Sequence, residues 1–365
     1  MFQGSAPGEQ PVSRDFRRDR IFICFELVFK YVKSQGWSYV MNGRDLAKVV
    51  TFYGKLIPTF SRIGYEARSL TWSGPSSFDF HGQRWLVTGG SEGIGRALAG
   101  AAAEAGAEVV VVARNNRRLE ELQQELSKEA ASRIFIRSQD LSLTSGVNAL
   151  LEWLKDEGRC FDALMNNVGM LLHEHTLTPE GREASFSINL LGHYQLTEGL
   201  LESKLLADQA VVVNMSSGGL YNAPLSLSGL NLMDPEAYNG KLSYAYAKRA
   251  QVALADYWDE RLRKTGGRSY VMHPGWVRTP GVKAALPIFW KLQNAILRTP
   301  RQGADTALWL AATRPDSGPE TVWFDRAPRT AHTNDLTRKP QCTTRDLIDY
   351  LDQQLNGQSE VGGER

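Results

Sequence analysis

The sequence predicts an α/β domain with a single doubly wound parallel sheet and helices on both faces. The first observation is that short apolar runs, rich in β-branched residues, alternate with amphipathic stretches from residue 83 onward. Such runs are typical of strands buried on both faces, and their alternation with helices is typical of a doubly wound sheet. The second observation is a glycine-rich segment directly after the first run. The predicted strands are 85–87, 108–113, 133–136, 163–165, 210–214, 270–272 and 321–324.

Helical periodicity lies between the strands, for example at 118–130 and 145–157. One doubly wound α/β domain is therefore expected over residues 81–330. The tail, 331–365, is expected to add a short C-terminal helix, because four leucine and isoleucine residues recur there at helical spacing. These residues are Leu347, Ile348, Leu351 and Leu355.

The N-terminal 80 residues differ from the rest. Residues 1–40 are expected to be disordered, or to precede a true start at Met41. Residues 41–80 are predicted to form an amphipathic helical extension that Pro58 kinks or ends. Its stripe over 46–60, with lysines beside it, fits a peripheral membrane contact or a cover on the domain or a partner subunit. The apolar residues of the stripe are Leu46, Val49, Val50, Tyr53, Ile57 and Phe60.

Composition excludes several classes of protein. The 365 residues carry 42 basic and 40 acidic side chains, a net charge of +2, which argues against nucleic-acid binding driven by overall charge. Cys24, Cys160 and Cys342 form neither a disulfide framework nor a zinc-site spacing, so no metal is expected. No apolar run reaches the roughly 20 residues that span a bilayer. We therefore expect an intracellular, cytoplasmic protein without a nucleic-acid partner.

The glycine-rich segment has the features of a phosphate-binding loop. It reads T-G-G-S-E-G-I-G over residues 88–95 and stands between the first strand and the first helix. Glycine allows a tight turn and a close approach of pyrophosphate to the main chain. The helix N-terminus behind it supplies N–H donors and a favourable dipole. A dinucleotide cofactor on a Rossmann fold is the expected ligand.

The spacing G-x-x-x-G-x-G resembles the short-chain dehydrogenase/reductase family, whose loop reads T-G-x-x-x-G-I-G. The resemblance implies an oxidoreductase that interconverts alcohols and carbonyls with a nicotinamide cofactor. Further segments match other motifs of the family, including N-N-V-G for its N-N-A-G, and P-G-W-V-R-T for its P-G-x-x-x-T. The cofactor-binding residues that it implies are Gly89, Ser91, Gly93, Ile94, Gly95, Asp140, Leu141, Asn167, Val168, Gly169, Pro274, Gly275, Val277 and Thr279.

The end of the second predicted strand points to NADP(H) rather than NAD(H). An NAD enzyme commonly has an acid there for the ribose hydroxyls, and this chain has Arg114 instead. Arg114, with Arg117 or Arg118 nearby, could pair with the 2′-phosphate of NADP(H), whose charge suits a guanidinium. The alternative is that Arg114 and its neighbours Arg117 and Arg118 only begin a solvated helix.

Tyr244 and Lys248 are the predicted catalytic pair. They stand at i and i+4 and so share one helix face, whereas Tyr246 does not face Lys248. A nearby ammonium favours the phenolate and makes the tyrosine a proton donor or acceptor near neutral pH. The resemblance adds Ser217, which polarises the substrate carbonyl, and Asn189, which holds a water linking the lysine to solvent. It also implies that Tyr244 and Lys248 contact the cofactor. We interpret His193 as a packing residue.

Two apolar stretches flank the expected carbonyl site. The loop 218–243 is longer than in most members of the family, and 282–297 contains several large apolar side chains. They predict a pocket for a lipophilic ketone or aldehyde; alternatively, they pack on each other or on a second subunit of a homo-oligomer. A non-catalytic NADPH-binding regulator or scaffold is the alternative function. Other stretches between 46 and 355 resemble one branch of the family more closely.

Overall fold

The computed structural model describes residues 58–72, 74–75, 77–333 and 335–357. The predictions for residues 1–40, for the possible start at Met41 and for the stripe up to Ile57 lie outside these residues. So do Cys24, Lys48 and Lys55. The boundaries at residues 81 and 330, between the domain and the extensions on either side of it, stay predictions.

The core of the molecule is one sheet with the strand order β3-β2-β1-β4-β5-β6-β7-β8. All neighbouring strands are parallel except β7 and β8, which pair antiparallel. The predicted doubly wound fold is confirmed. The strands are β1 (Arg84–Thr88), β2 (Glu108–Ala113), β3 (Ile134–Ser138), β4 (Phe161–Asn166), β5 (Leu206–Met215), β6 (Arg268–Met272), β7 (Thr321–Phe324) and β8 (Ala327–Thr330).

Helices cover both faces of the sheet. They are α1 (Arg62–Ser69), α2 (Gly93–Glu104), α3 (Asn116–Glu125), α4 (Lys128–Ala131), α5 (Thr144–Glu157), α6 (Ala184–Phe186), α7 (Gly192–Glu202), α8 (Gly240–Leu262), α9 (Pro280–Ala285), α10 (Pro287–Gln293), α11 (Pro300–Thr313) and α12 (Thr344–Asn356). A turn of π-helix, Ser187–Leu191, joins α6 to α7, and a 3-10 turn, Gly218–Asn222, follows β5.

Alternation along each strand divides the core into two layers. In β2, Val109 and Val111 pack beneath α2 and α11, whereas Val110 and Val112 pack beneath α5, α7 and α8. All four valines are fully buried. Successive side chains of a strand point to opposite faces, so a strand covered on both faces reads as one continuous apolar run. This explains why the sequence alone located the parallel strands.

The structure differs from the predicted elements in two places. The helix expected over 118–130 is two helices, because Leu126 is extended and Ser127 caps α4 by accepting a hydrogen bond from Ala130 N. Strand β8 was not predicted. It follows a tight turn in which Asp325 and Arg326 have φ angles of 52° and 56°, a backbone geometry that suits a β-hairpin.

The C-terminal helix is confirmed as α12. Its predicted stripe faces the core, with Leu347, Ile348 and Leu351 buried and Leu355 packed beside them. Thr343 and Asp346 form a reciprocal capping box at its start. The helix thus closes the face of the sheet that carries α7 and α8.

The described end of the N-terminal extension covers the domain. The Phe60 ring packs on His273, Trp276 and Phe324, with ring centroids 5.0, 5.7 and 5.3 Å away. Its carbonyl oxygen accepts a hydrogen bond of 2.9 Å from Trp276 N. The last residue of the predicted stripe therefore lies against the segment that follows β6.

A buried ion pair fastens this arrangement. The Arg298 guanidinium donates to both carboxylate oxygens of Asp325, at 2.6 and 2.9 Å, and each side chain is 1% exposed. Arg298 also donates to the carbonyls of Thr59, Phe60 and Pro274. One guanidinium thus joins the extension, the β7–β8 turn and the segment after β6.

Candidate active site

The glycine loop lies between β1 and α2 and packs on the segment after β4. Gly89 and Gly93 have φ angles of 67° and 58°, in the left-handed region that favours glycine. A Cβ at Gly89 would lie 2.8 Å from Val168 Cα, and one at Gly95 would lie 2.4 Å from the Gly89 carbonyl oxygen. The turn can therefore close only with glycine at these positions.

The N-N-V-G segment holds the loop in place. The Asn167 amide donates to the carbonyl oxygens of Thr88 and Gly89 at 2.9 and 3.2 Å. The Thr88 hydroxyl donates to Met165 O and accepts from Asn167 N and Val168 N. The substitution of valine for the usual alanine at Val168 is accommodated, since that side chain packs with the core beneath. These contacts unite two motifs separated by about 80 residues.

The start of α2 suits a phosphate. The preceding residue, Glu92, is extended and caps no N–H group of the helix, and its carboxylate instead pairs with Arg118. Helix N-termini with free N–H groups bind anions. A Cβ at Gly93 would lie 3.1 Å from the Thr279 side chain, so the loop faces the P-G-W-V-R-T segment. Ser91 and Ile94 complete the turn, and Ile94 packs on the core under α2.

Arg114 extends from the end of β2 beside Asp140, one of the predicted cofactor-binding residues. Its guanidinium lies 3.8 Å from the Asp140 carboxylate and is 57% exposed. Asp140 in turn accepts hydrogen bonds from Ser142 N and Oγ, whereas Leu141 is buried. Arg117 and Arg118 pair with Glu121 and Glu92. Of these three arginines, Arg114 has the longest ion-pair contact.

Ser217 and Tyr244 meet beyond the carboxyl end of β5. A hydrogen bond with the Ser217 hydroxyl lowers the pKa of the Tyr244 phenol, but burial raises it by more, so the net pKa is raised. The Ser217 hydroxyl also accepts a hydrogen bond of 3.0 Å from Gly219 N. A Cβ at Gly219 would lie 3.2 Å from the Tyr244 ring. The serine and the tyrosine are thus held together at the half-buried mouth of the site.

Lys248 lies one turn below Tyr244 and is 2% exposed. Its Nζ is 5.5 Å from the centroid of the Tyr244 ring and donates to Met215 O at 2.8 Å. Burial lowers the pKa of Lys248 to about 7. The predicted helix face is therefore correct, and in the protein alone the ammonium is directed to a carbonyl at the end of β5.

Asn189 occupies the π-turn between α6 and α7, where an extra residue widens the helix. Its side-chain amide donates to Met170 O and Ser185 O, both at 2.8 Å, and its oxygen accepts from Met170 N. Its own carbonyl oxygen accepts from the side chain of Gln251. Asn189 therefore fastens the segment after Gly169 to the start of α7.

The P-G-W-V-R-T segment leaves β6 and lies opposite the glycine loop. Gly275 has a φ of 79°, and a Cβ there would lie 2.4 Å from Arg298 Nε. The Pro274 carbonyl accepts from Arg298, Val277 is buried, and the Thr279 hydroxyl caps α9 by accepting from Val282 N. Arg298 thus supports this predicted cofactor-binding segment from the side of Gly275 and Pro274.

The family of the protein follows from its similarity to a known family model. A model described as short chain dehydrogenase matches residues 83–287, more than half of the chain. The chain belongs to this family. It is therefore an oxidoreductase of the short-chain dehydrogenase/reductase type, acting on CH–OH or carbonyl groups with a nicotinamide cofactor.

Relatives and solved structures agree with the assignment. Dehydrogenase/reductase SDR family member 12 of Bos taurus is 34% identical over 296 residues, covering 79% of this chain and 90% of the relative, which confirms the branch predicted from the sequence. Retinol dehydrogenase 12 of Homo sapiens is 31% identical, covering 62% of this chain and 72% of the relative. The L-sorbose reductase of Gluconobacter frateurii, solved with NADPH and L-sorbose, shares the fold with a TM-score of 0.51 at 21% identity, covering 65% of this chain and 92% of that one.

Sequence reasoning missed two residues that the structure of this short-chain dehydrogenase/reductase brings to the site. Gln251 contacts both Lys248 and Asn189, and Arg298 supports Gly275. A glutamine three residues after the lysine was a weak signal on the same helix face. His193, predicted to be a packing residue, is 1% exposed, and burial together with the Lys248 charge lowers its pKa to about 3.

Proposed function

We propose that this protein is an NADP(H)-dependent oxidoreductase that interconverts an alcohol and a lipophilic ketone or aldehyde. The observation that carries the proposal is that the N-N-V-G segment after β4 contacts both the helix of Tyr244 and Lys248 and the glycine loop. A Cβ at Gly169 would lie 3.3 Å from Lys248 Nζ, and the neighbouring Val168 packs on Gly89. Lys248 and the glycine loop thus contact the same segment, one residue apart along it, with Tyr244 one helical turn from the lysine.

The proposed roles follow from the positions of the side chains. Ser217 and Tyr244 hold the carbonyl oxygen of the substrate by hydrogen bonds, and Tyr244 transfers the proton to or from it. Lys248 supplies positive charge that stabilises the phenolate, and it binds ribose hydroxyls. When bound, the reduced nicotinamide supplies the hydride. Asn189 keeps the lysine and the cofactor segment in register.

The cofactor would lie along the residues that the sequence assigns to it. The free N–H groups at the start of α2 suit the pyrophosphate, and the segment from Pro274 to Thr279 faces the loop from the other side. The preference for NADP(H) rests on Arg114, because its side chain is 57% exposed and its guanidinium has a long ion pair of 3.8 Å with Asp140 beside a 3.6 Å contact with Met170 Sδ. A 2′-phosphate would offer it charge-assisted hydrogen bonds.

Arg114→Asp is expected to reverse the cofactor preference. It removes the partner of the 2′-phosphate and adds an acid that accepts hydrogen bonds from ribose hydroxyls. We expect the dissociation constant of NADPH to rise about 10- to 100-fold, since hydrogen bonds to charged groups contribute roughly 1.5–3 kcal/mol. Titration of NADPH and NADH by protein fluorescence measures both affinities.

Arg117→Asp is the matched control, because Arg117 is 87% exposed and already paired with Glu121. It changes the charge by the same amount three residues away. An unchanged NADPH-to-NADH ratio in the Arg114 variant, or an equal change in the control, would contradict the proposed role.

The proposal of a lipophilic substrate rests on exposed apolar side chains in the two stretches predicted to flank the carbonyl site. Met233, Leu242 and Ile288 are 49, 44 and 47% exposed, on the two stretches that flank the site. The loop after β4 contacts both stretches, since Tyr238 donates to Leu172 O and His173 contacts Ala285 O. The name of the retinol dehydrogenase relative indicates an apolar alcohol as its substrate. Packing within the loops remains the alternative, because Phe289 lies 5.2 Å from the Trp276 ring.

A graded series of aldehydes tests this choice. With propanal, hexanal, decanal and glyceraldehyde as probes, we expect kcat/KM for NADPH oxidation to increase with chain length and to be lowest for glyceraldehyde. Each buried methylene contributes about 0.8 kcal/mol, so decanal should exceed propanal by at least about 10²-fold. Equal values across the series would contradict an apolar pocket.

The proposed compartment is the cytoplasm. Cys160 and Cys342 are free thiols among the described residues, as a reducing environment requires. Within the described part of the chain, no helix is long and apolar enough to cross a membrane. A homo-oligomer is also proposed. Peripheral membrane contact through the stripe at 46–60 is the second proposal for the extension, and the packing of Phe60 on the domain favours the stripe as a cover instead.

A further inference from the structure

A buried polar cluster connects the lysine of the site to two helices. Lys248 Nζ lies 3.4 Å from Gln251 Oε1, and Gln251 Nε2 donates to Asn189 O at 2.8 Å. The same Nε2 lies 3.1 Å from His193 Nδ1. Gln251 and His193 are each 1% exposed. Burial of a polar side chain is unfavourable in free energy unless its donors and acceptors have hydrogen-bond partners.

The partners fix the orientation of the amide. The Asn189 carbonyl can only accept a hydrogen bond, so the NH₂ group of Gln251 must face it, and the oxygen must face Lys248. His193 is neutral at physiological pH, because burial and the nearby lysine charge lower its pKa to about 3. Its Nδ1 is therefore free to accept the second N–H of the amide. The Val168 backbone is a further hydrogen-bond partner of the His193 ring.

We infer that Gln251 is a positioning residue for Lys248. Its amide, aligned by the Asn189 carbonyl and His193, presents an oxygen to the ammonium and joins it to the π-turn. The inference rests on the proposed function of Lys248. Gln251 is not among the residues that the family resemblance implies, and its side chain contacts both the lysine and the asparagine carbonyl.

The Gln251 oxygen is expected to favour the charged form of Lys248. The Met215 carbonyl and the Gln251 amide oxygen are the acceptors that face the ammonium. The titratable groups that face it are Tyr244 from its own helix and His193 from α7, while β5 and the segment at Gly169 present backbone groups. Burial brings the pKa of Lys248 to about 7. Each acceptor therefore extends the pH range over which the lysine stays charged.

The test compares two substitutions with opposite electrostatic effects. Gln251→Met keeps the length of the side chain and removes the amide oxygen, whereas Gln251→Glu adds a carboxylate. Gln195→Met is the matched control, because Gln195 is a buried glutamine of α7 that bonds to Thr144 and Asn148, away from the site. Thermal unfolding is measured for every variant.

The primary readout is the dissociation constant of NADPH, measured by fluorescence from about pH 5 to about pH 10. The kcat for decanal reduction is measured over the same range. The cofactor's own phosphate also titrates, but it does so equally for all variants and so does not affect the comparison between them. We expect the alkaline loss of affinity to move down by about one pH unit in Gln251→Met and up by a similar amount in Gln251→Glu. The control should keep the profile of the unmodified protein.

Profiles that coincide with the unmodified protein in both variants would overturn the inference. So would shifts in the same direction, since a loosened core does not distinguish the sign of the substituted charge. If Gln251→Met does not fold, the upward shift in Gln251→Glu still decides. Unchanged NADPH affinity and turnover in Lys248→Met would instead overturn the proposed function of the lysine.

Discussion

Replacing Tyr244 with phenylalanine is expected to lower kcat for carbonyl reduction by about 10²- to 10⁴-fold, the usual contribution of a positioned acid–base group. The change removes one oxygen atom and keeps the ring that packs on Gly219. NADPH affinity is expected to change by no more than about tenfold, because one neutral hydrogen bond contributes roughly 0.5–1.5 kcal/mol. Steady-state kinetics with decanal and fluorescence titration with NADPH separate the two effects.

Tyr246→Phe is the control for this experiment. Tyr246 stands on the same helix, and its ring packs closely over Gly229 and the core beneath α8. The same loss of a hydroxyl there should leave kcat within about twofold, as most changes away from a site do. Comparable losses in the two variants, or full activity of Tyr244→Phe, would remove the tyrosine from the proposed chemistry.

The pH dependence of the reaction should reflect opposing effects of burial. Burial raises the pKa of the Tyr244 phenol and lowers that of Lys248 to about 7. The tyrosine therefore keeps its proton as pH rises, which suits reduction, while the lysine loses its charge above neutral pH. Oxidation of an alcohol needs the phenolate whereas reduction needs the phenol, so oxidation should reach its optimum at a higher pH than reduction does. The positive charge of an oxidised nicotinamide narrows this difference because it favours the phenolate.

Asp325→Ala is expected to destabilise the fold by about 3–5 kcal/mol, because it leaves the Arg298 guanidinium buried and unpaired. Both side chains are 1% exposed, and Arg68 shares the same carboxylate at 2.7 Å. For a domain of this size, the melting temperature should fall by roughly 10 °C. Thermal and urea unfolding measure the loss.

A matched control and a double variant sharpen this prediction. Glu121→Ala breaks an exposed pair with Arg117 and should change the free energy of unfolding by no more than about 1 kcal/mol. Asp325→Ala combined with Arg298→Met should recover part of the stability lost in the single variant, since no buried charge is then unpaired. A cost equal to that of Glu121→Ala would contradict the structural role of the pair.

The same variant also addresses the cofactor site. Arg298 lies against Gly275 and binds the Pro274 carbonyl, so loss of its partner should loosen the segment that faces the glycine loop. NADPH affinity of Asp325→Ala is therefore expected to fall while the protein is still folded. This effect is independent of Tyr244, which lies on another element.

Much of the fold was predictable because buried parallel strands have a recognisable pattern in the sequence. A strand covered on both faces must be apolar at every position, as β2 is from Val109 to Val112. The glycine loop was equally visible, since its backbone conformations and close contacts admit only glycine at Gly89 and Gly95. The order of these signals along the chain was enough to predict the family and to nominate Tyr244 and Lys248.

Strand β8 and the break in the helix at Ser127 were not predictable in the same way. The residues of β8 are mostly exposed, so they show no apolar pattern, and its pairing depends on the turn at Asp325 and Arg326. The capping of α4 by Ser127 competes with an otherwise continuous helical pattern. Both outcomes depend on local hydrogen bonds that amphipathic periodicity does not report.

By itself, the sequence determined the parallel sheet, the phosphate-binding loop and the helix face shared by Tyr244 and Lys248, because these depend on short-range spacing. Only the tertiary structure decided which distant polar residues are buried together. Gln251 and His193 are 58 positions apart, and Arg298 and Asp325 are 27 apart. Such polar residues read as surface in a sequence, and burial becomes favourable for them only when packing supplies the specific partner.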